Sequence, residues 1–425
     1  MSSSTPKEGA DPGRELAGSR ALVTGAAGFI GGRLVERLAE SEVEVRAFVH
    51  RLSRASRIAV YPLELIDGDV RDAGTVVRAA EDCDLIFHCA YGTGGSQRLR
   101  SKVNVEGTAN VLDAARKHEV SRVVHLSSLV VYGHTEDGDL DESAPRRSMG
   151  DAYSSSKLAA ERRALRAADR GLPVAVLQPT TVYGPFGGVW TANVLQSLAS
   201  GRVILVDGGQ GLANPVYVDD LVEAMLLAAV RPGAVGEAFL ISSAEEVTWR
   251  ELYEGFAELL ELEDRTVEMT EDEAISHFRR QRWKGPGLIS RGLSLLRKDE
   301  DLRDRLLATR EGRLVRWAGS TLIPQSWQPR IKSWLKALAG KGGTKESGSS
   351  AGSELPIHPT PPGMVRFLSA RTRVRIDKAR RVLGFEPRYD FEAGMARTGA
   401  WARWAGMAPS EEERPPGWEP PWDRD

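Results

Sequence analysis

The chain is predicted to fold as an α/β protein: a doubly wound parallel sheet followed by a smaller, discontinuous α/β lobe. Three observations carry this expectation. Short β-branched runs alternate with amphipathic helical stretches from Arg20 to about Pro179. Those runs are apolar on both faces, as strands covered by two helix layers must be. A glycine cluster follows the first run directly. Strands separated by helices need right-handed crossovers, which force the sheet to be parallel.

The strand candidates are 21–24, 43–49, 63–67, 85–89, 123–127 and 174–178. Between them, helical spacing of apolar residues marks 31–40, 75–80, 105–118 and 153–169. Beyond Gly184-Pro185 the pattern loosens. Short strands are expected at 203–206, 216–218 and 239–241, and helices at 219–230 and from Trp249 to about Leu262. The dinucleotide-binding domain is therefore placed at 19–185, with segments returning near 213–230. The second lobe takes 186–278 and 364–405. Residues 341–363 are rich in Gly, Ser and Pro and read as a flexible linker. The first 18 residues lack an apolar run and read as a disordered tail rather than a leader or anchor. An acidic, Pro-rich tail is expected at 408–425.

Composition narrows the function classes. Among 425 residues, 57 Lys and Arg face 59 Asp and Glu, a formal charge of −2. That balance gives no ground for a nucleic-acid partner. Two cysteines, Cys83 and Cys89, make neither a disulfide framework nor a zinc knuckle, so no metal site is expected and a reducing cytoplasm is the natural compartment. No stretch is long and apolar enough to span a membrane.

The sequence Ala21-Leu-Val-Thr24-Gly25-Ala-Ala-Gly28-Phe29-Ile30-Gly31 puts glycines at a strand-to-helix turn. Gly25 permits the turn, Gly28 lets a pyrophosphate approach the backbone, and Gly31 allows close helix–strand packing. The second strand ends in His50-Arg51 where a carboxylate would bind the ribose hydroxyls of NAD. Arg51 could instead hold a 2′-phosphate through paired hydrogen bonds, so NADP is preferred, with NAD the alternative. The simplest competing reading of Arg51, Arg54 and Arg57 is a solvated basic loop.

Tyr153 and Lys157 stand four apart, on one face of a helix. A free tyrosine has a pKa of about 10, and a neighbouring ammonium favours its phenolate. Such a pair can exchange a proton with a substrate hydroxyl while hydride moves to or from a nicotinamide. Ser127-Ser128-Leu-Val-Val-Tyr132-Gly133 lies 25 residues earlier, at the carboxyl end of a parallel strand, where open α/β sheets carry their sites. Ser128 would hold the reacting oxygen against Tyr153.

These segments resemble the extended short-chain dehydrogenases/reductases, the NAD-dependent epimerase/dehydratase family. The resemblance rests on TGxxGFIG at 24–31, SSxxVYG at 127–133 and YxxxK at 153–157. It extends to His88-Cys89-Ala90, Asn104-Val-Glu-Gly107-Thr108-Ala-Asn110, Val216-Tyr-Val-Asp219-Asp220 and Leu383-Gly-Phe-Glu-Pro387. It implies a Rossmann-type fold, an oxidoreductase, and catalysis by Ser128, Tyr153 and Lys157. It also implies cofactor contacts at Gly25, Gly28, Phe29, Ile30, Gly31, Asp69, Val70, Ala90, Tyr153, Lys157, Pro179 and Val182. In Pro179-Thr-Thr-Val-Tyr183-Gly184-Pro185 the usual Arg before the first Pro is Gln178. Relatives acting on nucleotide sugars commonly carry an Arg just before the strand at 216–218, and none is present in 211–215. The substrate expected is a small molecule, either a nucleotide sugar or, in the alternative, a steroid-, hopanoid- or other lipid-like alcohol. A cofactor-sensing binding protein is the reading outside enzymes. The resemblance leaves a homodimer open.

Residues 279–341 lie outside the resemblance and hold 16 Lys and Arg against five Asp and Glu, with four of the ten tryptophans. The formal −2 therefore divides into a strongly basic stretch and an acidic remainder. A basic, Trp-bearing helical insert at 279–340 could meet an anionic membrane surface, or simply pack as a lid with solvated arginines.

Overall fold

The computed structural model describes residues 11–92, 97–243, 245–284 and 355–409. They divide into two units, 1–276 with 356–425 and 277–355; the second is described only at 277–284 and Leu355. All that follows concerns the first.

In chain order the elements are β1 (Arg20–Thr24), α1 (Phe29–Glu40), β2 (Glu44–Val49), β3 (Leu63–Asp67), α2 (Ala73–Ala79), β4 (Leu85–His88) and α3 (Gln97–Ser101). Then come α4 (Gly107–Lys117), β5 (Arg122–Leu126), β6 (Gly138–Leu140), α5 (Ala152–Ala168), β7 (Val174–Pro179) and β8 (Thr181–Tyr183). The second lobe adds α6 (Asn193–Ser200), β9 (Val203–Val206), β10 (Pro215–Tyr217), α7 (Val218–Val230), β11 (Ala238–Ile241), α8 (Trp249–Leu259) and β12 (Thr266–Met269). It is completed by α9 (Glu271–Lys284), α10 (Pro362–Ser369), β13 (Thr372–Val374), α11 (Asp377–Leu383) and α12 (Phe391–Trp404).

Seven strands form one sheet in the order β11-β7-β5-β4-β1-β2-β3. Every neighbouring pair is parallel. The doubly wound expectation is therefore met, and the strand order reverses between β1 and β4. Ligands of such sheets bind at that switch point, outside the carboxyl ends of the strands. The central strands β4, β5 and β7 are buried along their whole length, whereas β3, at the edge, is largely open. Three parallel two-stranded pairs, β10-β8, β12-β9 and β13-β6, build the second lobe and stitch it to the first. Its core gathers Trp249, Phe256, Tyr183 and Tyr217, with Trp190 and Phe367 partly buried against them.

Two sequence boundaries change. Residues 11–18 are ordered: Leu16 is buried in the main core, and Asp11 pairs with Arg37 at 3.1 Å. One apolar side chain suffices to dock this segment, and a single residue leaves no periodicity to read. The stretch expected to be a linker is described from residue 355 onward. Arg202 N–H donates to the Pro356 carbonyl, and His358 N–H to the Arg202 carbonyl, both at 2.9 Å; α10 then starts at Pro362. A Pro-rich segment here is extended because it pairs, so the second lobe resumes at 356 rather than 364. Of the basic insert, residues 279–284 continue α9, and the rest lies outside the described residues, as does the tail beyond 409.

Candidate active site

The switch point is lined by the residues the glycine pattern singles out. Gly25 ends β1 with φ +70°, and a Cβ there would lie 2.8 Å from the backbone of Ala90. A Cβ on Gly31 would lie 2.3 Å from the Gly25 carbonyl oxygen. Both contacts exclude any larger residue, which keeps the turn flat against the end of β4. Gly28 is the N-cap of α1 and has no side-chain cap, and no acid occupies the first turn. Uncapped amides at a positive helix end suit a diphosphate. Phe29 packs on the second-lobe core and Ile30 on the sheet core, while Val182 touches both. The cradle therefore fits a dinucleotide between the two lobes.

Thr24 fixes the two strand ends to each other. Its Oγ1 meets His88 Nδ1 at 2.7 Å and accepts from Ala90 N–H at 3.3 Å. His88 Nε2 reaches Thr108 Oγ1 at 2.9 Å, and Thr108 donates to the Asn104 carbonyl at 2.6 Å. Burial holds His88 well below the usual histidine range, near 3, so it is a neutral link. Beyond β3, Asp69 accepts from Arg71 N–H at 2.9 Å and pairs with the Arg71 guanidinium, which holds its carboxyl low. The Val70 carbonyl accepts from Asn110 Nδ2 at 2.9 Å. Arg51 follows β2, is exposed, and has no side-chain partner among the described residues. Arg57 is committed elsewhere: it donates to Glu36 at 2.6 Å and stacks 4.0 Å above the Phe186 ring. Pro179 closes β7 at the same sheet edge.

Ser128, Tyr153 and Lys157 come together at the carboxyl end of β5. Ser128 sits just past that strand, 8 % exposed, and bonds the Tyr153 hydroxyl. Asp151 caps α5, accepting from Tyr153 N–H at 2.7 Å and Ser154 N–H at 2.9 Å. Lys157 is buried and donates from Nζ to the Leu126 carbonyl at 2.8 Å. Burial lowers its pKa to about 8, against the pull of Cys89 and Glu161. One expectation is corrected here. The protein alone does not depress the Tyr153 phenol: burial and the Asp151 carboxylate raise it, and only the Ser128 hydrogen bond opposes them. Lys157 directs its proton to a main-chain carbonyl instead.

Sequence reasoning missed Tyr91. Its ring meets Tyr153 edge-on at 5.1 Å, and Lys157 Nζ lies 5.1 Å from its centre. It also missed the role of Asn104, which accepts from Gly92 N–H at 2.8 Å and donates to Ser156 Oγ at 3.1 Å, tying the loop after β4 to α5. Neither residue has a spacing signal. Among the described residues no three His, Cys, Asp or Glu side chains could hold a metal ion, and no helix is long and apolar enough to cross a membrane.

Comparison with known proteins places this architecture. The model of the NAD dependent epimerase/dehydratase family matches residues 21–242. The chain is 33% identical to the 2-alkyl-3-oxoalkanoate reductase of Stenotrophomonas maltophilia over 54% of this chain and 72% of that protein. It is also 33% identical to a 3 beta-hydroxysteroid dehydrogenase/Delta 5-->4-isomerase of Mycobacterium tuberculosis, over 54% of this chain and 66% of that one. Among solved structures, the dTDP-glucose 4,6-dehydratase of Bacillus anthracis in complex with NAD superposes with a TM-score of 0.60. That match has 19% identity and covers 92% of this chain and 98% of the other. The chain belongs to the NAD-dependent epimerase/dehydratase family and is an enzyme of the nicotinamide-dinucleotide class.

Proposed function

We propose that the chain is an NADPH-dependent reductase, or in reverse a dehydrogenase, acting on the ketone or secondary alcohol of a lipid-like substrate. The observation that carries this reading is Asn214. It occupies the stretch where nucleotide-sugar enzymes commonly place a diphosphate-binding Arg, and its side chain is spent on the fold. Nδ2 donates to the Thr372 carbonyl at 2.8 Å and Oδ1 accepts from Val374 N–H at 3.0 Å. Gly211 is packed under α10, where a Cβ would fall 2.1 Å from the Leu368 carbonyl oxygen. No cation from 211–215 is available to a sugar nucleotide. Relatives named for a 3-oxoalkanoate and a hydroxysteroid support the same class.

The cofactor supplies or accepts the hydride, and the rest falls to this chain's residues. Ser128 Oγ orients the reacting oxygen, and Tyr153 Oη exchanges a proton with it. A phenol held above its ordinary pKa is protonated at neutral pH, the form that reduction requires of a proton donor. The Lys157 ammonium stabilises the phenolate left behind. Free Arg51 favours NADP. A basic stretch at 279–341 would bring the enzyme to an anionic surface where lipid-like substrates partition, and flotation with and without anionic vesicles tests that part.

The test is a turnover assay with long-chain 2-alkyl-3-keto acids, 3-ketosteroids, UDP-glucose and dTDP-glucose, each with NADPH and NADH. One NADPH oxidised per ketone reduced is expected. Interconversion of a sugar nucleotide on retained nucleotide, with no ketone reduced, overturns the reading in favour of an epimerase or dehydratase.

A further inference from the structure

A fully buried carboxylate lies directly behind the proposed catalytic lysine. Glu161 sits four residues after Lys157 and eight after Tyr153, on the same face of α5, and its side chain is 0% exposed. Three segments converge on it. Ser127 Oγ, from the end of β5, donates to Oε2 through a short hydrogen bond. Gln178 Nε2, from β7, donates to Oε1 at 2.9 Å. Arg146, from the segment between β6 and α5, brings its Nε to Oε1 at 2.7 Å. Tyr132 completes the cluster: its hydroxyl donates to Gln178 Oε1 at 2.8 Å, and the Arg146 guanidinium lies 6.0 Å from its ring centre.

The arrangement explains the departure at position 178. With Gln where relatives carry Arg, the cation that Glu161 needs must come from elsewhere. Arg146 reaches it from outside, its side chain 29% exposed. A buried carboxylate without a cation would cost far more than the pair. The site therefore depends on a residue from a loop that carries no family motif.

The geometry assigns Arg146 and Glu161 as positioning residues of the Ser128–Tyr153–Lys157 site, an inference that rests on the catalytic reading above. Glu161 fixes Ser127, and with it the adjoining Ser128, to the helix that bears Tyr153 and Lys157. It also places negative charge behind the Lys157 ammonium, and Arg146 sets how much of that charge the lysine feels. The groups facing Lys157 are Cys89 and His88 at the end of β4, Tyr91 beyond it, His125 on β5, and Tyr153 and Glu161 on α5. Burial keeps both histidines neutral and both the Cys89 thiol and the Tyr91 phenol protonated. Glu161 is thus the anion within this set.

The two partners should act in opposite directions. Glu161→Gln keeps the shape but removes the charge, so the lysine loses its proton at lower pH. Arg146→Gln leaves the carboxylate less neutralised, so the lysine holds its proton to higher pH. Arg146→Lys keeps the charge and should leave the midpoint near that of the parent. The readout is the 13Cε resonance of Lys157 in lysine-labelled protein, assigned by its loss in Lys157→Met. It is paired with the pH profile of kcat for NADPH-dependent reduction of a 2-alkyl-3-keto acid. The midpoint and the alkaline limb should fall in Glu161→Gln and rise in Arg146→Gln, while kcat drops roughly 10- to 100-fold in Glu161→Gln through displaced Ser128. A shift in one direction for both variants, or in neither, overturns the assignment. If Glu161→Gln does not fold, the contrast between Arg146→Gln and Arg146→Lys decides alone. Tyr153→Phe separates the two claims: an active Tyr153→Phe removes the catalytic reading, whereas an inactive one beside unshifted Arg146 and Glu161 variants removes only this inference.

Discussion

Lys157 spends a proton on the Leu126 carbonyl, 2.8 Å away, and so locks α5 to the end of β5 at one register. The strand residue two positions on is Ser128, the helix residue four positions back is Tyr153. A single hydrogen bond therefore sets the distance between the two hydroxyl-bearing groups, and the lysine's charge is held where water cannot reach it.

That burial gives Lys157 an opposite effect on activity and on stability. Its pKa, lowered from 10.5 to about 8 chiefly by desolvation, means that the unfolded chain binds a proton more tightly than the folded one. Below pH 8 both forms are protonated and the burial penalty, about 3 kcal/mol at 1.36 kcal/mol per pH unit, is present in full. Between pH 8 and 10.5 the penalty fades, so stability gains while the catalytic ammonium is lost. Lys157→Met should cut kcat at least about 100-fold at pH 7. Calorimetry should show the difference in Tm between wild type and this variant moving in favour of wild type as pH rises through that window. A constant difference would mean that the lysine titrates normally.

Arg51 and Arg57 separate recognition from architecture. Arg51 is exposed at the end of β2 without a partner, whereas Arg57 is held by Glu36 and stacked on Phe186. Hydrogen bonds to a charged group are worth about 1.5–3 kcal/mol, so Arg51→Ala should weaken NADPH roughly 10- to 100-fold and leave NADH nearly unchanged. Arg57→Ala should weaken both alike and lower Tm. Fluorescence titration of the two nucleotides against each variant checks this, and equal losses for Arg51→Ala remove the NADP preference.

The glycine cradle is tested by Gly31→Ala. Its Cβ would collide with the Gly25 carbonyl oxygen at 2.3 Å, and backbone cannot give way as a side chain can. A clash of this kind costs about 1–3 kcal/mol, and the displaced turn should lose dinucleotide binding by more than it loses stability. Isothermal titration beside a denaturant melt separates the two effects.

The seven-stranded sheet could be read from the sequence because its central strands are buried on both faces and advertise themselves as apolar runs. The glycine turn and the Ser–Tyr–Lys set were legible for a related reason: their geometry is local, within one turn or one helix face. What stayed hidden depends on pairing across the chain. β13 joins β6 although more than 230 residues separate them, and each is three residues long. Arg146 meets Glu161 only because the loop before α5 folds back on it, and no spacing announces that. Glu161 itself could have been found, since it continues the Tyr153–Lys157 face by one more turn. Asn214 could not, because its partners Thr372 and Val374 lie in a segment that looks like the end of a linker.

Asn214 also offers the sharpest test of how the second lobe is held. It is buried, it adopts φ +43°, and it closes two hydrogen bonds on β13. Asparagine tolerates that left-handed conformation better than most residues, so its presence answers both a backbone and a side-chain demand. Asn214→Ala fails both. It orphans the Val374 N–H and the Thr372 carbonyl and adds backbone strain, for a loss of about 2–4 kcal/mol. Asn214→Gly removes the hydrogen bonds but relieves the strain, and should lose less than Ala by about 1 kcal/mol. Urea melts of the two variants give this ordering directly. If Gly proves as damaging as Ala, the conformation contributes nothing and the hydrogen bonds alone hold β13. Neither variant should acquire affinity for UDP-glucose, because removing the asparagine opens no route for a cation to reach that surface.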